Sequence, residues 1–266
     1  MIVCKNCGDS FEGNYCNHCG EQVVSEADFT VQSLVRQAMG AITSVDSKLL
    51  RTLKLLLFYP GELTVKFIIG VRVYYMRPFQ ILIVSNIIFY IVLSEADLFR
   101  TPSQWFFVEN FDGIQVMDKV RRISAAKQFE VKEIAILYDN HSSNLAKGLI
   151  ILLIPFFALT GKLLHPRAEL AFGKHLVFAT HYLSFILLLL VVIGEALILS
   201  PIPANRWFFI VPSLVIMTVY YSVALRRFYQ NSWTFAIAKG IVGVFLMNAF
   251  IQLYRIGISL LSLYTL

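Results

Sequence analysis

The chain has four cysteines, and all of them fall between residues 4 and 19. They form two pairs, Cys4-Lys-Asn-Cys7-Gly and Cys16-Asn-His-Cys19-Gly, with eight residues between the pairs. A CxxC turn lets two thiolates reach one ion from a single tight bend, and Gly8 and Gly20 suit the left-handed backbone such a bend often needs. Four thiolates match the tetrahedral preference of Zn²⁺ and leave no open position, so the chemistry expected is structural rather than catalytic. Disulfides would instead require an oxidising compartment, and a redox CxxC would need a thioredoxin-like βαβ setting that the sequence lacks. So short a segment cannot bury a core, and metal binding would have to supply its folding energy. His18 lies inside the second pair and is expected to point outward. Ser10-Phe11-Glu12 and Tyr15 read as short strands around a Gly13-Asn14 turn.

A second group of chemically capable residues sits inside long apolar segments, where an ionisable side chain is costly. His181 and Glu195 share one such segment; Lys239 and Arg255 share another. Glu195 and Arg255 each lie roughly 20 residues, about 30 Å, from the same end of their segments, so an ion pair between them is expected. Lys239 is expected to snorkel to the interface. Together His181, Glu195 and Arg255 are the residues a transporter or lipid-handling protein would use between two helices. His175 and His181 stand about 120° apart around a helix, which is unsuited to a shared metal, and read as interfacial histidines. His165 and His175 bracket one loop. Asn86, Asn248 and Gln252 read as interhelical hydrogen-bond formers. There is no nucleotide-binding glycine loop, no GxSxG and no HExxH, so a membrane enzyme using His175 and His181, with no nucleophile or open metal site beside them, is the weakest expectation.

The elements that must carry these residues are membrane helices. Of the 266 residues, 57% are hydrophobic and 15% charged, with a mean hydropathy of +0.67. One soluble core cannot hide that much apolar surface, so the fold class expected is an all-α polytopic membrane protein with a small N-terminal zinc ribbon. The net charge of +6 then belongs beside a membrane face, and nucleic acid is not an expected partner. Met1 to Val3 is too short for the apolar core of a signal peptide, so insertion is expected through the first membrane helix.

Three regions follow: 1–22, the ribbon; 23–78, a linker with amphipathic or interfacial helices; and 79–266, the transmembrane domain with an exported loop, 95–147. Glu21 to Asp28 reads as the linker. The apolar stripe Val31, Leu34, Val35, Ala38, Met39 and Ile42 predicts a helix from Thr30, capped by Asp28 or Thr30. Ser47 to Phe58 predicts another, lying in the interface or packed on the bundle, before Tyr59-Pro60-Gly61-Glu62 breaks the chain. Lys48, Arg51, Lys54, Arg72 and Arg77 would meet anionic lipid headgroups or a partner. Five spans are expected, about Phe79–Ser94, Gly148–Leu164 (kinked at Pro155), Leu176–Leu199, Trp207–Leu225 and Phe235–Leu263. Between the first two, Val116 to Tyr138 predicts one helix with Val120, Ile123, Phe129, Ile134 and Leu137 buried. Lys66, Arg72 and Arg77, then Lys162, Arg167 and Lys174, then Arg226 and Arg227 all fall on one side of a five-span topology, with Arg206 alone by a short loop on the other. This predicts a cytoplasmic N-terminus and an outer C-terminus.

The CxxCG pairs, Tyr59-Pro60-Gly61-Glu62, Gly70-Val-Arg72-Val-Tyr-Tyr75-Met-Arg-Pro78-Phe79, Leu153-Ile-Pro155-Phe-Phe-Ala158-Leu and His175-Leu-Val-Phe-Ala-Thr-His181 together resemble an uncharacterised family of bacterial membrane proteins with an N-terminal zinc ribbon, a domain of unknown function. The resemblance implies a bacterial inner-membrane protein and brings no activity. Its members often carry Lys at the position of Val71 and a further His near Leu183, and those departures weaken readings built on a basic or histidine cluster here. The function expected is an integral membrane protein whose zinc ribbon forms a cytoplasmic docking or regulatory module, with a protein partner at the ribbon. A small transporter or lipid-handling protein is the alternative.

Overall fold

Among the described residues of the computed structural model, four helices are long and apolar enough to cross a membrane: Val131–Leu164, Phe172–Ala196, Ile210–Tyr229 and Trp233–Tyr264. The chain is an all-α multi-pass membrane protein with a cysteine cluster at its N-terminus. The structure describes residues 1–23, 30, 48–93, 97–111, 114–166, 168–199 and 206–266, apart from the side chains at 197, 206 and 209. The amphipathic segment expected from Val31 to Ile42, and Arg167, lie outside these.

The elements in order are β1 (Ile2–Val3), β2 (Ser10–Phe11), α1 (Leu49–Phe58), α2 (Glu62–Ile69), α3 (Pro78–Val92), α4 (Ser103–Phe106), α5 (Val116–Lys127), α6 (Val131–Leu149), a 3₁₀ turn (Ile150–Leu152), α7 (Leu153–Leu164), α8 (Phe172–Ile198), α9 (Arg206–Tyr229) and α10 (Trp233–Tyr264). They divide into two compact units. One comprises Met1–Ser94 with Ile154–Leu246, the other Glu95–Leu153 with Met247–Leu266.

In the first unit α8 is the central helix. It is hydrophobic all round and buried without a break from Leu176 to Leu190, as a helix enclosed by others must be. α3 packs along it so closely that a Cβ on Gly194 would lie 2.8 Å from Leu93. The first expected span, Phe79–Ser94, corresponds to α3, whose 15 residues make about 22 Å of helix against a hydrocarbon thickness of about 30 Å. α1 and α2 form a corner beneath it. Gly61 makes that corner, with φ of 78°, and a Cβ there would come within 2.9 Å of the Ala224 carbonyl oxygen. Three polar contacts tie the corner to α9: the Tyr220 hydroxyl donates to the Leu56 carbonyl at 2.6 Å, Arg227 Nη1 donates to the Pro60 carbonyl at 2.9 Å, and Arg227 Nε lies 3.6 Å from Glu62. Between α9 and α10 small residues permit close approach, since a Cβ on Gly240 would overlap Ser222, the packing mode of membrane helices.

The second unit has a core of Phe106, Val116, Val120, Ile134, Tyr138 and Leu263. The single helix expected over Val116–Tyr138 is two, because Gln128 adopts φ of 57° and Glu130 and Glu133 cap the start of α6 reciprocally. Val120 and Ile134 are buried as expected and Ile123 partly so, whereas Phe129 and Leu137 are exposed. α6 then runs on towards α7. Pro155 has no N–H to offer the Ile151 carbonyl, and the helix tightens into the 3₁₀ turn Ile150–Leu152 just before it. The span expected over Gly148–Leu164 therefore belongs to a longer helical run, Val131–Leu164.

Candidate metal centre

The head is one knuckle built twice, twelve residues apart. In the first copy Cys4 N–H donates to the Asp9 carbonyl at 2.8 Å and Gly8 N–H returns to the Cys4 carbonyl at 3.0 Å. In the second, Cys16 N–H donates to the Glu21 carbonyl at 2.8 Å and Gly20 N–H to the Cys16 carbonyl at 2.9 Å. Gly8 and Gly20 have φ of 83° and 72°, the left-handed turn expected of them. Each copy closes its own ladder: Ile2 pairs with Phe11 and Val3 with Ser10, and Tyr15 bridges Gln22. The hairpin expected between Phe11 and Tyr15 is thus absent, because each strand pairs across its own cysteine turn. Val23 N–H donates to the Asn14 carbonyl at 2.9 Å, so the head runs through Val23.

This architecture brings the four sulfurs together, all within 4.8 Å of one another. Cys4 Sγ lies 3.5 Å from Cys19 Sγ, and Cys7 Sγ 3.6 Å from Cys16 Sγ. A tetrahedron with metal–sulfur bonds of about 2.3 Å has edges of about 3.8 Å, so the set fits one ion. All four cysteines are free thiols. The nearby Asn6 side-chain amide, opposed by desolvation and helped by the Glu21 N–H, lowers Cys19 to about 6. Cys7 goes the other way. The Asp9 N–H acts to lower it, but desolvation and the sulfurs of Cys19, Cys16 and Cys4 outweigh that and raise it to about 12. Crowded thiols share protons in this way, and a cation placed among them would remove the conflict. His18 is exposed and lies 3.4 Å from Asp9. With Cys7 and Asp9 it forms a more open grouping of potential ligands, but the four thiols are the more enclosed set.

The expected linker begins with a surprise. Glu21 is only 5% exposed, and its Oε2 accepts from the main-chain N–H groups of Arg72 at 2.7 Å and Val73 at 3.0 Å. The five basic residues divide. Arg51, Lys54 and Arg77 are exposed and Lys48 is half-buried, while Leu50 and Phe58 also face outward on α1. Arg72 is turned inward: Nε donates to the Phe67 carbonyl at 2.9 Å and the guanidinium sits 4.4 Å over the Phe67 ring.

His181 and Glu195 belong to the first unit and Arg255 to the second. His181 is buried in α8 and meets Thr64 of α2, Nδ1 to Oγ1, at 2.9 Å. Glu195 is half-buried in the last turn of α8, fourteen residues or about 21 Å along the same helix. Arg255 belongs to the second unit, where Nε donates to the Arg100 carbonyl at 3.2 Å and Nη1 to Gln252 at 3.3 Å. Arg100 in turn binds Asp97 and Asp139, both at 2.5 Å. Arg255 therefore has its burial accounted for within its own unit.

His165 and His175 do converge, through Tyr229, which carries no motif of its own in the sequence. His175 Nδ1 lies 2.6 Å from the Tyr229 hydroxyl, and His165 stacks on the Tyr229 ring at 3.8 Å. His165 Nδ1 donates to the Gly161 carbonyl at 3.0 Å, which leaves Nε2 to accept from Asn231 at 2.7 Å. Desolvation lowers His165 to about 4, which the Gly161 carbonyl opposes and Lys239 and His175 reinforce. It is a neutral, fully hydrogen-bonded staple. Gly161 is required beside it, since a Cβ there would lie 2.9 Å from the Tyr229 hydroxyl.

A family model described as a protein of unknown function (DUF3667) matches residues 46–90, the stretch from just before α1 into α3. This chain is similar to that family over the corner and the turn that Glu21 reaches. No curated protein and no solved structure matches the chain.

Proposed function

We propose that this protein is an integral protein of the bacterial cytoplasmic membrane whose N-terminal head holds a structural Zn²⁺ through Cys4, Cys7, Cys16 and Cys19. The head and α1 form a cytoplasmic docking or regulatory surface rather than a catalyst. The carrying observation is the closed set of four sulfurs within 4.8 Å. Thiolates select soft ions, and a four-sulfur tetrahedron suits zinc while leaving no site for substrate. Arg51, Lys54 and Arg77 would meet anionic headgroups, with Leu50 and Phe58 in the interfacial layer.

Orientation follows from where basic residues gather. The α1–α2 corner that follows the head contacts Arg227, at the end of α9 that also carries Arg226. Head, corner and turn thus share the basic face, which is the cytoplasmic one by the positive-inside rule. That compartment keeps thiols reduced. α3 is read as a fifth crossing despite its length. The chain passes from Thr64, beside His181, to Leu93, beside Gly194, and so follows α8 in the same direction towards its far end. Five crossings put the C-terminus outside.

The test is metal content. Protein purified in detergent under reducing conditions should carry one zinc per chain by plasma mass spectrometry. Cys16→Ser/Cys19→Ser should carry none and still insert in the membrane. Wild-type protein without metal would refute the reading.

A further inference from the structure

Because the head is one knuckle repeated, Asp9 and Glu21 are equivalent positions, and their main-chain carbonyls do the same work for Cys4 and Cys16. Their side chains do not. Asp9 stays in solvent beside His18. Glu21 is buried and carries its carboxylate to two N–H groups of the helical domain, those of Arg72 and Val73. These N–H groups lie just past Gly70, whose φ of 104° ends α2, and they open the turn that leads to α3. A carboxylate held by two main-chain donors is a strong, directional contact. It is placed by the second knuckle, because Cys19 is two residues away and the Glu21 carbonyl is bonded to Cys16. Beside it the head and the end of α2 share a groove of about 150 Å³ lined by Ile2, Val3, Phe11, Ile69 and Gly70.

We propose that Glu21 is a metal-dependent latch on the α2–α3 turn. With the ion bound, the second knuckle keeps the shape that delivers the Glu21 carboxylate to Arg72 and Val73. When the ion leaves, the Cys16–Val23 loop keeps only its small apolar contact with Cys4 and Phe11 of the first knuckle, the carboxylate withdraws, and the turn loses its anchor. The turn is joined directly to α2, which contacts the central helix through Thr64 and His181, and to α3, which packs along that helix. Metal occupancy in the head is thereby coupled to the helical domain. The coupling is reciprocal, so removing the carboxylate must weaken metal binding by the same factor.

The latch rests on the metal-binding reading, and one experiment separates the two. Hydrogen exchange is followed by mass spectrometry on the full chain in lipid nanodiscs, zinc-loaded or chelated, with metal content measured in parallel. In loaded wild-type protein the Arg72 and Val73 amides should exchange at least about tenfold more slowly than after chelation. Loaded Glu21→Ala should match the chelated protein at these amides, while α8 from Leu176 to Leu190 stays protected in all samples. Equal exchange at Arg72 and Val73 with and without zinc would overturn the latch and leave the metal site standing. Loss of protection along α8 on chelation would overturn it too, since the ion would then hold the whole fold. Protein that binds no metal would remove both.

Discussion

Thr64→Val removes a hydroxyl and keeps the side-chain shape, so it isolates one hydrogen bond inside the membrane domain. The bond it deletes is the 2.9 Å contact to His181 Nδ1. Both residues are almost wholly buried, Thr64 at 1% and His181 at 3% exposed. Interhelical hydrogen bonds in membranes average about 0.6 kcal/mol and reach about 1.7. This one belongs at the upper end, because Nε2 of His181 has no partner among the described residues. Deleting the contact at Nδ1 strips the imidazole of its remaining bond, and an unsatisfied buried polar group costs about 1–3 kcal/mol. We expect a loss of about 1.5 kcal/mol, or roughly 3–6 °C in Tm for a chain of this size, read by circular dichroism in detergent. Removing both partners with Thr64→Val/His181→Phe should recover much of that loss, which an isolated structural pair requires. Unchanged stability in Thr64→Val, or strictly additive losses in the double variant, would refute this account of His181.

Three further outcomes are expected. Gly61→Ala should lose about 2 kcal/mol or more and reduce the yield of monodisperse protein, because it combines a φ of 78° with a 2.9 Å approach to a main-chain oxygen that cannot turn aside. His165, held at about 4 against an ordinary 6.5, binds fewer protons folded than unfolded between those values. Its contribution is therefore complete above pH 6.5 and lost as pH falls towards 4, on the order of 2–3 kcal/mol; the Tm difference between wild type and His165→Gln should shrink across that window. Alkaline phosphatase fused after Asn110 should be active and fused after Tyr229 inactive, since only the first junction lies outside the cytoplasm in the proposed topology; the reverse pattern would contradict it.

The four-cysteine cluster was legible because its spacing alone restricts the geometry, and the long apolar helices because lipid demands their composition. The rest was hidden for physical reasons. Glu21 is one acid in a polar stretch, and what distinguishes it from Asp9 is a turn fifty residues later. The partner of His181 lies in α2, a short helix whose Thr64 has no local signal. Sequence records the charge of Arg72, which it shares with its basic neighbours, but not its stacking on Phe67. Tyr229 looked like one more aromatic residue, although Gly161, opposite it, is the kind of small residue that marks a close approach. Hydropathy continues to Ser94, but the helix itself ends at Val92.

The most direct test of the central claim is X-ray absorption at the zinc edge on reduced, detergent-purified protein. The account predicts one shell of four sulfurs at about 2.3 Å, lost together with the metal in Cys4→Ser/Cys7→Ser. A shell containing nitrogen or oxygen would mean that His18 or Asp9 has displaced a thiolate, and the closed four-sulfur centre would be wrong.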